Sequence, residues 1–174
     1  MPEQGVRGNG PGAAAVPLRP GVRLAFDVGS VRTGVARTDA EAIMAVPLVT
    51  LTPTHDDALI LDALDLIEEW RPIEILVGDP KHMSGKASAS SQRATWFARE
   101  IASETRVPVR MLDERLTTVT AGGHLQASGR STRNQRGVVD QAAAVVLLEH
   151  ALASERVSGK APGSLVKSVR KGRR

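Results

Sequence analysis

Apolar and polar residues alternate over residues 22–28 (VRLAFDV), the period of a strand with one buried face. Asp27-Val-Gly-Ser30 is a turn signal, and a second strand begins at Gly34–Arg37. Ile43–Leu51 predicts a third strand, which Pro47 confines to an edge or a bulge. The short links between these three imply antiparallel pairing. Then the period changes. Leu59, Ile60, Ala63, Leu64, Ile67 and Trp70 recur at helical spacing, and Pro72 ends that helix. Ile73–Val77 predicts a buried strand, Gly78–Lys86 a loop, and 88–105 a helix with Ala94, Phe97, Ala98 and Ile101 on one face. A strand over Val107–Leu112, a helix over Thr117–Ala127, a loop over Ser128–Arg133 and a long helix over 134–153 complete the chain. The expected fold is α/β, a mixed five-stranded sheet of three antiparallel strands then parallel strands, with helices on both faces. Sites in such sheets lie at the carboxyl ends of the parallel strands.

Composition trims this picture at the ends. Nine of the first 21 residues are Gly or Pro, too few apolar groups to offset ordering, so 1–21 is expected to be disordered. Residues 22–154 form the core domain, and 155–174 are expected to be a basic flexible tail. The net charge is +4, but the last 17 residues hold six basic groups and no acid, so the core itself is slightly acidic. A basic tail suits a polyanion, or is simply solvated. There is no Cys, which removes thiol nucleophiles, disulfides and Cys-metal sites. The four His share no ligand spacing, so zinc is not expected. No apolar run approaches the ~18 residues of a membrane span, and no secretion signal is visible, so a cytoplasmic protein is expected. Two Trp, two Phe and no Tyr are too few for a base-stacking platform.

Three acids occupy places where a soluble domain has little reason to put them. Asp27 ends the first strand, Glu114 follows the strand Val107–Leu112, and Asp140 lies between Val138-Val139 and the apolar run Ala142–Leu148. Each alone has an ordinary reading: a turn aspartate, half of a surface ion pair, a complement to the helix dipole. If the fold places the strand ends and the helix start together, the three carboxylates converge. Small residues at Ala143 and Ala144 would let that helix approach the sheet. Hard oxygen ligands of this kind suit Mg²⁺ or Mn²⁺.

LAFDVGSVRTGVA (24–36), VGDP (77–80) with Met83 and Gly85, DERLTT (113–118) and VVDQAAA (138–144) resemble the YqgF family, also called RuvX. That is a family of pre-16S ribosomal RNA nucleases and Holliday junction resolvases with an RNase H-like fold. The resemblance spans the core. It implies a divalent-metal-dependent hydrolase of phosphodiester bonds, acting in 5′ maturation of pre-16S rRNA on a ribosomal precursor. The other activity in the family name is resolution of four-way DNA junctions, which would favour a two-fold homodimer. It further implies that Asp27, Glu114 and Asp140 are the catalytic, metal-binding acids, with two Mg²⁺ or Mn²⁺ about 3.5–4 Å apart activating water. Three positions depart from the pattern: His82 stands where the family usually has Asn, Ser84 where it has Asp, and Ala143 where RuvC-type resolvases carry a fourth acid. Asp79 is an unexpected acid at a strand end, adding a carboxylate to the site or capping the loop.

Structured RNA or branched DNA needs positive charge beside these acids. The candidates are Arg32 in the first turn, Lys81, His82 and Lys86 after the fourth strand, Arg115, and Arg130, Arg133 and Arg136 before the last helix. Such contacts position a backbone without reading sequence. Two other classes compete. An actin-like ATP-binding fold shares the Asp-x-Gly-Ser turn but needs two domains, and a core of about 133 residues has no room. A non-catalytic nucleic-acid-binding module has no use for all three acids.

Overall fold

The computed structural model describes residues 16–81, 88–116 and 132–169. Strands β1 (Arg23–Val28), β2 (Thr33–Thr38) and β3 (Ala45–Leu51) form an antiparallel meander. Helix α1 (Asp56–Trp70) leads to β4 (Glu74–Asp79), α2 (Ala89–Glu104) leads to β5 (Val109–Asp113), and both strands are parallel to β1. A one-turn 3₁₀ helix (Glu114–Leu116), helix α3 (Thr132–Ser158) and a short β6 (Ser164–Leu165) follow. The sheet order is β3-β2-β1-β4-β5-β6. Among the described residues it therefore has six strands, not five; the extra one is β6, which pairs with β5 through Arg110 and Met111.

Alternation along the strands assigns each residue a face. Leu24, Phe26, Val35, Ile75 and Val77 pack against Leu59 and Ala63 of α1 and Phe97, Ala98 and Ile101 of α2. Phe26 and Phe97 meet with ring centres 5.2 Å apart. The other face carries Ala25, Ala36, Leu76 and Leu112, which pack against Ala144, Leu147, Leu148 and Ala151 of α3. This face holds small residues on its central strands, so a single helix can lie close across them.

Helix ends follow local chemistry. His55 Nδ1 accepts the Ala58 N–H at the start of α1 (3.1 Å), and Ser88 Oγ accepts the Ser91 N–H at the start of α2 (3.0 Å). Pro72 disfavours helical backbone at the residue before it. Arg71 is left-handed with φ 44°, and α1 stops at Trp70. Past the end of α3, Gly159 takes φ +67°, the conformation glycine tolerates at a helix stop.

Residues 16–21 and 155–166, which composition assigned to tails, take part in the fold. The Val16 N–H donates to the Arg156 carbonyl, and Arg19 anchors residues 16–21 on the core. At the other end α3 continues to Ser158, and Val166 N–H donates to Val109 O next to β6. Residues 137–158 have the length and mean apolarity of a membrane span, although Asp140, Glu149, His150, Glu155 and Arg156 interrupt the apolar run. The fold gives that stripe another use, against the sheet.

An ion network closes the end of the sheet where β1 and β4 begin. Arg23 is fully buried and reaches Glu74 (Nε–Oε1 3.1 Å) and Glu155 (Nη2–Oε2 3.1 Å). Arg19 bonds the same two glutamates, each at 2.8 Å. Burial alone would raise the Glu155 carboxyl, but the bonds from Arg19 and the charge of Arg23 outweigh it and hold it below its ordinary value. Arg23→Met leaves two buried carboxylates short of a partner, and is expected to cost about 3–5 kcal/mol in urea unfolding.

Candidate active site

Asp27 is the only acid on β1, at its carboxyl end on the α3 face. Its antiparallel partner on β2 is Gly34. On the other side, the pair Phe26–Val77 puts Gly78 of β4 next in register beside Asp27. Glycine on both flanks is what the site requires. A methyl group on Gly34 would lie 1.9 Å from the Asp140 carbonyl oxygen, so the backbone of α3 passes directly over β2 here. A methyl group on Gly78 would lie 2.2 Å from Glu114 Oε1, so the Glu114 carboxylate occupies the space a side chain would fill. The two gaps bring Glu114 and Asp140 to Asp27 from opposite sides. Thr50 of β3 fixes the same stretch of α3: its hydroxyl donates to the Gly137 carbonyl (2.8 Å) and accepts from Gln141 Nε2 (3.0 Å).

The electrostatics follow from this placement. Burial, then the negative charge of Asp140, push the Asp27 carboxyl above its ordinary value, while a hydrogen bond from Glu114 offsets part of this. Glu114 is pushed up to about 7, first by burial, then by the charge of Asp27 and the hydrogen bond to it, with Asp79 and Asp113 adding to the effect. The two carboxyls thus share a proton that resides on Glu114. Between the ordinary carboxyl range and about pH 7 the native state holds this proton and the unfolded chain does not. Cation-free stability is therefore expected to fall as pH rises from 5 to 8, by about 1–3 kcal/mol once solvent screening is allowed for. Glu114→Gln should flatten that slope and be the more stable protein at pH 8 in EDTA, read from urea midpoints at each pH.

The third carboxylate is engaged differently. Asp140 Oδ2 accepts from Arg32 Nε at 2.7 Å. With α3 beginning at Thr132, Asp140 lies in its third turn, beyond the reach of a helix-dipole role. Ala144 is buried against the sheet as expected, but Ala143 is exposed; the close approach is made at Gly34 instead.

Asp79 belongs to the opposite face of the sheet, beside Val77 in the alternation. It is buried and accepts from Ser91 Oγ at 2.7 Å, tying β4 to the first turn of α2. Its carboxylate anchors a helix rather than joining the other three, although its charge is felt at Glu114.

The predicted cations fall into two groups. Arg32, Lys81 and Arg115 each pair with a carboxylate: Arg32 with Asp140, Lys81 with Asp79 (3.5 Å) and Arg115 with Asp113 (2.5 Å). His82, Lys86 and Arg130 lie outside the described residues, as do the side chains of Arg133 and Arg136 and the expected helix over Thr117–Ala127. The backbone of Arg133 and Arg136 is in the first turns of α3, not in a loop before it. Sequence reasoning missed Arg93, whose Nε donates to the Gly29 carbonyl (2.9 Å) and steadies the β1–β2 turn. A lone arginine on an amphipathic helix carries no signal for such a role.

Among the described residues no three carboxylate or imidazole groups close round one point, and Asp140 is turned to Arg32. The donor set nonetheless fits a hard divalent cation. It is all carboxylate oxygen, it lies between two glycine gaps, and its like charges repel, a repulsion that a cation would remove.

The profile of the RuvX family, described as Holliday junction resolvase, matches residues 21–154, nearly the whole described fold. The chain belongs to the RuvX family. As a RuvX chain it is 47% identical over 152 residues to a protein of Clavibacter michiganensis subsp. michiganensis named "Putative pre-16S rRNA nuclease", covering 86% of this chain and 93% of that one. A protein of the same name from Streptomyces avermitilis is 46% identical over 153 residues, covering 87% and 98%. The fold is similar to that of RuvC from T. thermophilus, solved in complex with a Holliday junction substrate, with a TM-score of 0.55 over 83% of this chain and 99% of that one at 15% identity. The RuvX fold is thus RuvC-like, a mixed α/β sheet with helices on both faces, as the motifs implied.

Proposed function

We propose that this RuvX protein is a divalent-metal-dependent nuclease whose centre is Asp27, Glu114 and Asp140. The observation that carries this reading is the placement of three acids from β1, the turn after β5 and α3 at one end of the sheet, with glycines on both sides of Asp27. These three carboxylates would hold Mg²⁺ or Mn²⁺, which when bound polarises the scissile phosphate and lowers the pKa of water for attack. Asp27, between the other two, is the residue both neighbours lean on. Glu114, held partly protonated by burial and by the charge of Asp27, would be the carboxyl to ionise beside a bound cation. The exposed Lys81 and Arg115 stand at the neighbouring strand ends, where a phosphate backbone would pass.

The substrate we favour is a pre-16S ribosomal RNA precursor, because relatives at 46–47% identity over most of the chain carry that name. A four-way DNA junction is the second reading, favoured by the family description. The test incubates the full chain with Mn²⁺, with Mg²⁺ or with EDTA on a labelled precursor 5′ leader, a labelled four-way DNA junction and plain duplex DNA. Cleavage of the leader with metal and none in EDTA is expected. Preference for the junction would move the substrate to the second reading. Binding without cleavage of all three would leave a binding module and contradict the nuclease.

A further inference from the structure

Arg32 occupies the place where the metal reading needs positive charge. Its Nε lies 2.7 Å from Asp140 Oδ2, and among the described residues it pairs with no other carboxylate. Both side chains are partly open to water, at 32% and 25% exposure, so the pair can part without unfolding anything. The turn that carries Arg32 is held at two points. The Gly29 N–H donates to the Arg32 carbonyl (2.9 Å), and the Gly29 carbonyl accepts from Arg93, itself paired with Asp56 (2.9 Å). The backbone of Arg32 is therefore fixed, and what can move is its long side chain.

We propose that Arg32 is an exchange cation: it holds Asp140 while the site lacks metal, is displaced from that carboxylate by the divalent ion, and then takes a phosphate of the nucleic acid. This deepens the nuclease reading and rests on it. A guanidinium left against Asp140 would repel an incoming dication and occupy one of its oxygens. Once displaced, it stays at the rim of the same centre, because its backbone cannot leave. Its planar fork matches two phosphate oxygens as well as it matches a carboxylate. Metal and nucleic acid then compete with the two halves of one ion pair, so each should tighten the other, by the same factor in either order.

The experiment measures Mn²⁺ binding to the full chain by electron paramagnetic resonance of the free ion, without nucleic acid. Arg32→Gln should bind Mn²⁺ about tenfold more tightly than wild type, while Arg32→Lys, which keeps a charge, should stay near wild type. In a second arm, anisotropy of the labelled leader RNA and of the labelled four-way junction is read in EDTA and in Ca²⁺. Wild type should gain affinity on adding Ca²⁺ for whichever it binds, and Arg32→Gln should lose most of that gain. Equal or weaker Mn²⁺ binding by Arg32→Gln, or an undiminished Ca²⁺ gain, overturns the exchange. Its failure is distinct from failure of the metal centre, which would appear as no Mn²⁺ binding by any variant or as undiminished binding by Asp27→Asn.

Discussion

Asp27→Asn is expected to lower metal-dependent cleavage about a thousandfold or more while leaving the cation-free protein at least as stable as wild type. The first half follows from position. Asp27 is the carboxylate that both other acids approach, and losing it removes several kcal/mol of charge stabilisation in the transition state, with each 1.36 kcal/mol worth tenfold in rate. The second half runs against the usual cost of changing a half-buried polar group. Burial and the charge of Asp140 both disfavour the ionised Asp27 side chain, so an amide of the same shape removes a repulsion. The Asn oxygen can still accept the proton Glu114 donates. Cleavage of the labelled leader and urea unfolding at pH 8 in EDTA check the two halves independently. A variant that loses activity only because it loses stability would point to a structural role for Asp27.

Gly34→Ala is expected to destabilise the fold by about 3 kcal/mol and to abolish most activity as well. The added methyl group would meet a backbone carbonyl at 1.9 Å, and backbone cannot rotate away as a side chain can. Helix α3 must lift from β2 by more than an ångström, loosening Ala144, Leu147 and Leu148 from the sheet. In a chain of this size that corresponds to a fall in Tm of about 6–12 °C. Displacing Asp140 by that distance costs about a hundredfold in rate on its own. Gly78→Ala makes the informative contrast. There the obstacle is the far end of Glu114, which can swing aside, so Tm should change little while the Glu114 carboxylate leaves Asp27 and cleavage falls. Thermal melts and cleavage of both variants separate a helix held at backbone distance from a side chain held in a gap.

The pattern of apolar residues carried most of the architecture. The switch from alternation to helical spacing after β3 marks the change from meander to βα units, and Pro72 and Ser88 mark helix ends where the structure has them. β6 was not legible. Two residues of Ser-Leu in a Gly-, Lys- and Ser-rich stretch carry no periodicity, and their pairing depends on β5 offering an edge. The folded part of the amino-terminal segment was hidden for a related reason. Arg19 is ordered by two buried glutamates 55 and 136 residues away, which local composition cannot show. Asp27 and Asp140 stood out because each interrupts an apolar stretch; Glu114, set between Asp113 and Arg115, stood out only by following a strand end. The glycines that let them meet were visible in the motifs, but their purpose needed the register of β1 against β2 and β4. Asp79 shows the limit of reading an acid by its place at a strand end: one residue of alternation puts it on the α2 face, bonded to Ser91.

The central claim is that Asp27, Glu114 and Asp140 together hold divalent cation at this end of the sheet. Crystals of the full chain soaked in Mn²⁺, with anomalous scattering recorded at the manganese edge, test it most directly. Manganese peaks are expected within coordination distance of carboxylate oxygens from all three residues, with Arg32 turned away from Asp140. Manganese absent from this cluster at saturating concentration, with the Arg32–Asp140 pair intact, would contradict it.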